Sequence, residues 1–212
     1  TLSSDTAASQ IATGSWASTT SLNTARHSLR GAGTQTQSIM FGGDAGAPSV
    51  SNATESWDGS AWTEVNNLNT ARATHAGAGT YTSAIAMAGA TPSYVANAET
   101  WDGSSWTEVG DLNTGRRDPT VTGIATSAIA SGGLVAPPRI ANTETWDGTS
   151  WTEVADLNTA RGLMGGVGAD NTEQLVYGGN TPSIVANTEF FDGSTWTEVS
   201  DLGTARQSPG NA

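Results

Sequence analysis

An all-β fold built from repeated four-stranded sheets is predicted by three observations. The passage Thr54-Glu55-Ser56-Trp57-Asp58-Gly59-Ser60-Ala61-Trp62-Thr63-Glu64-Val65, continuing to Leu68-Asn69-Thr70-Ala71-Arg72, returns at Thr100 to Arg116, at Thr145 to Arg161 and at Phe190 to Arg206. Measured on Trp16, Trp62, Trp106, Trp151 and Trp196, the period is 46, 44, 45 and 45 residues, a spacing typical of solenoids, propellers and arrays. Each period holds short Thr, Trp, Val and Ile runs separated by turn residues, so essentially no helix is expected.

Within a period the clearest element is a hairpin. Thr-Glu-x-Trp and Trp-Thr-Glu-Val flank Asp-Gly-Ser, two strand-forming runs joined by turn residues. Upstream, Ser38 to Gly43, Ser83 to Gly89, Ser127 to Gly133 and Gln174 to Gly179 are apolar runs closed by glycine and predict another strand. The segment after each Arg, such as His27 to Thr34 or Ala73 to Thr80, supplies the fourth. Four strands per period make one propeller blade. Side-chain size gives the order from axis to rim. The strand after Arg carries Gly33, Gly79, Gly123 and Gly168, and the next is rich in Ala, Ile, Gly and Ser, suited to a crowded interior; the tryptophans come last, where gaps between sheets widen.

The repeat runs the length of the 212 residues, so one domain is expected: a half blade at 1–25, full repeats at 26–71, 72–115, 116–160 and 161–205, and the start of another at 206–212. In the degenerate first copy, Ile11 stands for the first Trp. Mean hydropathy is −0.30, and no segment approaches the roughly 20 apolar residues of a membrane span. A net charge of −12, with eight arginines and no lysine, repels a phosphate backbone, so no nucleic-acid partner is expected. Cysteine is absent, which excludes disulfides and thiolate metal sites.

A Gly-Gly doublet ending one strand, an aromatic pair five residues apart and a loop closing in Arg resemble the kelch repeat. The pairs Trp57/Trp62, Trp101/Trp106, Trp146/Trp151 and Phe191/Trp196 match its aromatic pair, and Gly42-Gly43, Gly132-Gly133 and Gly178-Gly179 match its doublet; Ala88-Gly89 departs from it. The resemblance covers nearly the whole chain and implies a kelch-like β-propeller of four complete blades plus a split or incomplete fifth. The wording Gly-Ser-x-Trp-Thr-Glu-Val with Leu-Asn-Thr-Ala-Arg is similar to kelch-like repeats of predicted marine tailed-phage and bacterial proteins. That likeness implies a virion or extracellular, cell-surface setting.

Little in the sequence carries catalysis. Trp-Asp-Gly-Ser-x-Trp is similar to a shortened sialidase Asp-box, which is a turn device: Asp58, Asp102, Asp147 and Asp192 are expected to bond nearby amides. One Asp per turn cannot supply the roughly six to eight oxygens of a calcium site. The kelch-type copper oxidase centre would require a Cys linked to Tyr plus histidines, and the chain has no Cys and only His27 and His75. No Gly-x-Ser-x-Gly elbow occurs. Fifteen of 20 acids sit in the repeated words, leaving Asp5, Asp44, Asp118, Asp170 and Glu173 for the paired carboxylates of a glycosidase. The reading is therefore non-enzymatic, without cofactor or metal.

Arg26, Arg72, Arg116, Arg161 and Arg206 recur at one station, as do Glu55, Glu99, Glu144 and Glu189, and are expected to pair as scaffold. Function is expected where the repeats disagree. One such place follows each Arg: His27 and Arg30, His75, Arg117 and Asp118, Met164. The other joins the second and third strands: Asp44 to Ser51, Tyr94, Arg139 and Ile184. In a meander both emerge on the face opposite the Asp-Gly turns. A protein or glycan on a virion or cell surface is the expected partner, through that face, with homo-oligomers or larger assemblies open. A secreted lectin would need the same polar and aromatic set in every loop, and these loops differ. For closure, Gln207 to Ala212 is expected as the first strand of a split fifth blade, which is then one strand short; Thr1 to Thr6, a neighbouring chain or further sequence would fill it.

Overall fold

A computed structural model of the chain describes residues 19–46, 50–136 and 138–210. All 16 of its elements are strands. The first sheet comprises β1 (Arg30–Gly33), β2 (Ser38–Phe41), β3 (Thr54–Trp57) and β4 (Trp62–Val65). The second comprises β5 (Ala76–Thr80), β6 (Ser83–Met87), β7 (Ala98–Trp101) and β8 (Trp106–Val109). In the third are β9 (Thr120–Ile124), β10 (Ser127–Ser131), β11 (Thr143–Trp146) and β12 (Trp151–Glu153). The fourth holds β13 (Gly165–Val167), β14 (Gln174–Tyr177), β15 (Thr188–Phe191) and β16 (Trp196–Val199). Each is an antiparallel meander in chain order, and the four are arranged like propeller blades. No helix among the described residues is long and apolar enough to cross a membrane.

Small residues set how closely the inner strands approach. β1, β5, β9 and β13 of successive sheets lie against one another. A Cβ added to Gly77 would stand 2.6 Å from the Phe41 ring of the preceding sheet, so only glycine admits that contact. At the outer strands the tryptophans fill the wider gaps. Trp57 and Trp62 are paired at 5.3 Å between centroids, and Trp101/Trp106, Trp146/Trp151 and Phe191/Trp196 repeat the arrangement at 5.5, 5.4 and 5.3 Å.

Three apolar cores separate the four sheets. Ile39 and Phe41 of the first sheet pack with Ala84, Ala86, Trp101 and Trp106 of the second. Ile85 and Met87 meet Ala128, Ala130, Trp146 and Trp151 of the third. Ile129 and Leu157 then meet Val176, Phe191 and Trp196 of the fourth. Alternation explains the division, because successive strand residues point to opposite faces: Ile85 and Met87 face the following sheet while Ala84 and Ala86 face the preceding one, and Ile129 divides from Ala128 and Ala130 in the same way.

The Arg and Glu stations clasp one sheet to the next. Arg26 reaches Glu55 at 2.7 Å, Arg116 reaches Glu144 at 2.9 Å and Arg161 reaches Glu189 at 2.8 Å, with Arg72 on Glu99 in the same way. Each carboxylate also accepts the backbone N–H of the Asn three residues before that Arg, at 2.6 to 2.7 Å. Burial lowers the pKa of Arg72, Arg116 and Arg161, and the facing glutamates oppose that shift.

Ala88 replaces the first glycine of a doublet and still adopts φ 59, close to the 64, 62 and 65 of Gly42, Gly132 and Gly178. The departure in sequence leaves the backbone path unchanged. Two expectations differ in outcome. Gln207 to Gly210 form no strand; Ser208 N–H instead donates to Leu163 O at 2.7 Å and Tyr177 Oη to Gly210 O at 2.8 Å, and Pro209 has no N–H to give a ladder. The half-repeat with Ile11 and Trp16 lies outside the described residues, as do Pro137, 47–49, Asn211 and Ala212.

Candidate functional site

Each sheet carries a small three-rung patch at one end. The residue after the glycine doublet pairs antiparallel with both variable segments, giving His27–Asp44–Val50, Ala73–Ala90–Tyr94, Arg117–Leu134–Arg139 and Gly162–Asn180–Ile184. The backbone of the patch is constant and its side chains are not. The hairpin turns lie at the other end: Trp57 Nε1 donates to Gln35 O in the β1–β2 turn at 3.0 Å, and Asp58 caps the adjoining β3–β4 turn.

Side chains on this loop face are partly organised. His27, 73% exposed, has Nε2 4.0 Å from Asp44 Oδ2. Arg117 lies over the Tyr94 ring with Cζ 5.4 Å from its centroid, while its Nε is 3.7 Å from Asp118 Oδ2. Arg139 stands beyond Leu134, half-buried, and Ile184 is 49% exposed. Asn180 Nδ2 donates to Gln207 Oε1 at 3.0 Å. Burial raises the pKa of Asp118, against the charges of Arg30 and Arg117.

A relay of main-chain bonds joins the patches. Thr74 N–H donates to Ser28 O at 3.2 Å, Asp118 to Thr74 O at 2.8 Å, Leu163 to Asp118 O at 3.3 Å and Ser208 to Leu163 O at 2.7 Å. All five residues have positive φ, between 49 and 57, although none is glycine. Such a conformation costs on the order of 1 kcal/mol per residue and persists because each is bonded to the next.

Two of the expected site residues are not on this face. His75 is fully buried between the first two sheets, its ring 5.6 Å from Phe41, because its position alternates inward from Thr74. Met164 is buried in the core of the third and fourth sheets for the same reason. Arg30 is half-buried and, with Asp118, lines a cavity of about 910 Å³ bounded also by Pro119, Leu163 and Pro209. Of the middle rungs, Asp44 falls in the variable segment read from the sequence, while Ala90, Leu134 and Asn180 were not singled out there. Their variation directly after an otherwise constant Gly doublet was the available signal.

The turns on the opposite face are built as the sequence suggests. Asp102 Oδ1 accepts Ser104 N–H, Ser104 Oγ–H and Ser105 N–H, each at 2.8 Å, and Asp58, Asp147 and Asp192 accept the same pair of amides. These bonds to the ionised form hold Asp102 and Asp192 at a pKa of about 2. Among the described residues no three His, Asp or Glu side chains group as a metal site.

The fold and this face define an all-β repeat protein of propeller-like arrangement with one end of variable side chains on a fixed backbone. No protein-family model matches the chain, and no curated protein matches it.

Proposed function

We propose that the chain is a non-enzymatic binding module: a kelch-like propeller that contacts a protein partner or host receptor on a virion or cell surface through the loop face. One observation carries the reading. Four copies of a single three-rung backbone patch present four different side-chain sets, among them Arg117 on Tyr94, Arg139 and Ile184, while the opposite turns are near-identical. Aromatic and arginine side chains are the usual anchors of protein contacts. Unlike sets in successive repeats suit one extended partner better than a repeated small ligand.

Binding of the purified chain to intact virions or host cells tests this. Tyr94→Ala and Arg139→Ala are expected to weaken binding with unchanged melting curves, whereas Ser60→Ala on the opposite face leaves binding intact. Loss of binding in the Ser60 variant alone would assign the other face. Capsid and tail genes beside this one would support the setting. For closure, light scattering should give a monomer of 21.5 kDa, and an obligate oligomer would overturn self-closure.

A further inference from the structure

The fourth sheet carries a docking set that the other three sheets fill. In the core between the first two sheets, Ile39, Phe41, Val65 and Leu68 are covered by Trp101 and Trp106 of the second. Ile85, Met87, Val109 and Leu112 are covered by Trp146 and Trp151 in the same way. The covering sheet also gives a glutamate to the arginine that ends the crossing, Glu99 to Arg72 and Glu144 to Arg116. At the fourth sheet the corresponding stations are Leu175, Tyr177, Val199, Leu202 and Arg206. Val199 is 40% exposed and Val167, on the same face, 38%. Leu202 is only half-buried, whereas Leu68, Leu112 and Leu157 are buried.

Arg206 is set for a clasp that it does not make. Its Nε donates to Thr204 O at 3.3 Å, as Arg72 Nε does to Thr70 O at 3.3 Å. Its backbone N–H donates to Val185 O at 3.1 Å, as that of Arg72 does to Ser51 O at 3.1 Å. Arg72 then places Nη1 on the carbonyls of Ala88 and Asn97 and Nη2 on Glu99. Among the described residues neither Nη of Arg206 makes a bond, and the side chain is exposed.

Chemistry and space limit what can complete the set. A guanidinium only donates, and a carboxylate matches its fork. The surface beside it, Leu175, Phe190 and Val167, is an apolar groove suited to aromatic rings. The inner end of this face is already taken, because Pro209 lies against Gly165 and Tyr177 Oη donates to Gly210 O at 2.8 Å. The outer part stays open, where the third and fourth strands of a following sheet would lie. Glu55, Glu99, Glu144 and Glu189 are each held by an arginine of their own chain, so a second folded copy has no such carboxylate to give. In the first copy of the repeat, Ser9 and Ile11 stand at the stations of the Glu and the first Trp.

We propose that this face of the fourth sheet docks a β-hairpin of another polypeptide, one that carries a carboxylate two residues before the first of an aromatic pair. The carboxylate meets Arg206 and the rings lie on Leu175, Phe190 and Val199, continuing the stacking of the three existing cores. The proposal is independent of the loop face.

Fluorescence anisotropy on the full chain tests it with a labelled peptide of the sequence Ala98–Val109, cyclised because an isolated hairpin is only marginally stable. The peptide is expected to bind saturably and to displace a hydrophobic dye from the groove. Arg206→Ala should weaken binding about tenfold or more, the loss of one charge-assisted hydrogen bond, with the melting curve unchanged. Glu99→Gln in the peptide should cost as much against the parent chain and nothing further against Arg206→Ala. Trp101→Ala with Trp106→Ala in the peptide should abolish binding. The proposal falls if the peptide does not saturate, which would leave the face to residues 1–18, or if Arg206→Ala binds it as well as the parent. It falls too if light scattering shows dimers that Arg206→Ala dissolves, since the occupant is then a second copy. Tyr94→Ala separates the two readings: it should cost loop-face binding and leave peptide binding in place.

Discussion

Arg161 and Glu189 form an ion pair of 2.8 Å with side chains 0% and 2% exposed, Arg161 from the connection between the third and fourth sheets and Glu189 from β15 of the fourth. Arg161 Nη1 also donates to Gly178 O at 3.1 Å and to Asn187 O at 2.7 Å, so the sheet it enters holds the end of the guanidinium on two backbone carbonyls. Removing one partner of a buried pair leaves the other charge uncompensated, and Arg161→Ala should lower stability by about 3 kcal/mol. Arg206 occupies the same station but is exposed, with Nε on Thr204 O at 3.3 Å and no ion pair among the described residues. Arg206→Ala should therefore stay within about 0.5 kcal/mol of the parent. Urea denaturation of both variants compares them directly; equal losses would break the argument from burial.

His75 gives the fold a sensitivity to mild acid. Burial lowers its pKa well below 6.5, and the charges of Arg30 and Arg72 lower it further. The unfolded chain takes up a proton near pH 6.5 while the folded chain does not, so stability falls as pH drops below that value. The slope approaches about 1.4 kcal/mol per pH unit and flattens only below the folded pKa. His75→Met, using the residue type found at 164, should remove this slope. Unfolding midpoints at about pH 7.5 and about pH 5 measure it, above the range in which ordinary carboxylates titrate. Parallel slopes in parent and variant would show that His75 is not the cause.

The Asp-Gly turns should fail under stronger acid. Asp102 is held at about 2 from an ordinary 3.8 by the amides of Ser104 and Ser105 and the Ser104 hydroxyl. A depressed acid stabilises the fold above its unfolded pKa, and the contribution disappears as pH falls through the folded value. Asp102→Ala should thus melt earlier than the parent at neutral pH and level with it near pH 2. Asp102→Asn, which keeps the accepting oxygen, should fall between them in thermal scans.

Phe190 marks a side of the fourth sheet unlike the others. It stands where Ser56, Thr100 and Thr145 stand, and with Val167 and Leu175 it lines an apolar groove. Phe190→Thr should leave the unfolding free energy within about 0.5 kcal/mol of the parent, because the side chain is only half-buried. Binding of a hydrophobic dye should drop. Unchanged dye fluorescence would mean that the groove is not the exposed apolar surface.

Much of the frame was legible because the repeats describe their own chemistry. The hairpin words Trp57 to Trp62, the small inner residues Gly77 and Ala84, and the pairing of a recurring Glu with a recurring Arg all follow from pattern and size. The particular pairing did not. Arg72 bonds Glu99 of the second sheet and not Glu55 of the first, a choice made by the handoff from sheet to sheet that no spacing encodes. At the loop face, the alternation that buries His75 beneath Thr74 was hidden in a segment too short to show a period. The positive φ at Ser28, Thr74, Asp118, Leu163 and Ser208 had no signal either, since glycine or asparagine at such positions is the usual mark and none is present.

The relay from Ser28 to Ser208 is made wholly of amide and carbonyl groups, which every residue but proline carries. A substitution at any of its five stations leaves the tie between neighbouring loops intact. Selection can therefore exchange serine for threonine, aspartate or leucine there, as the chain itself displays, and explore new recognition chemistry one mutation at a time without reopening the question of how the protein folds.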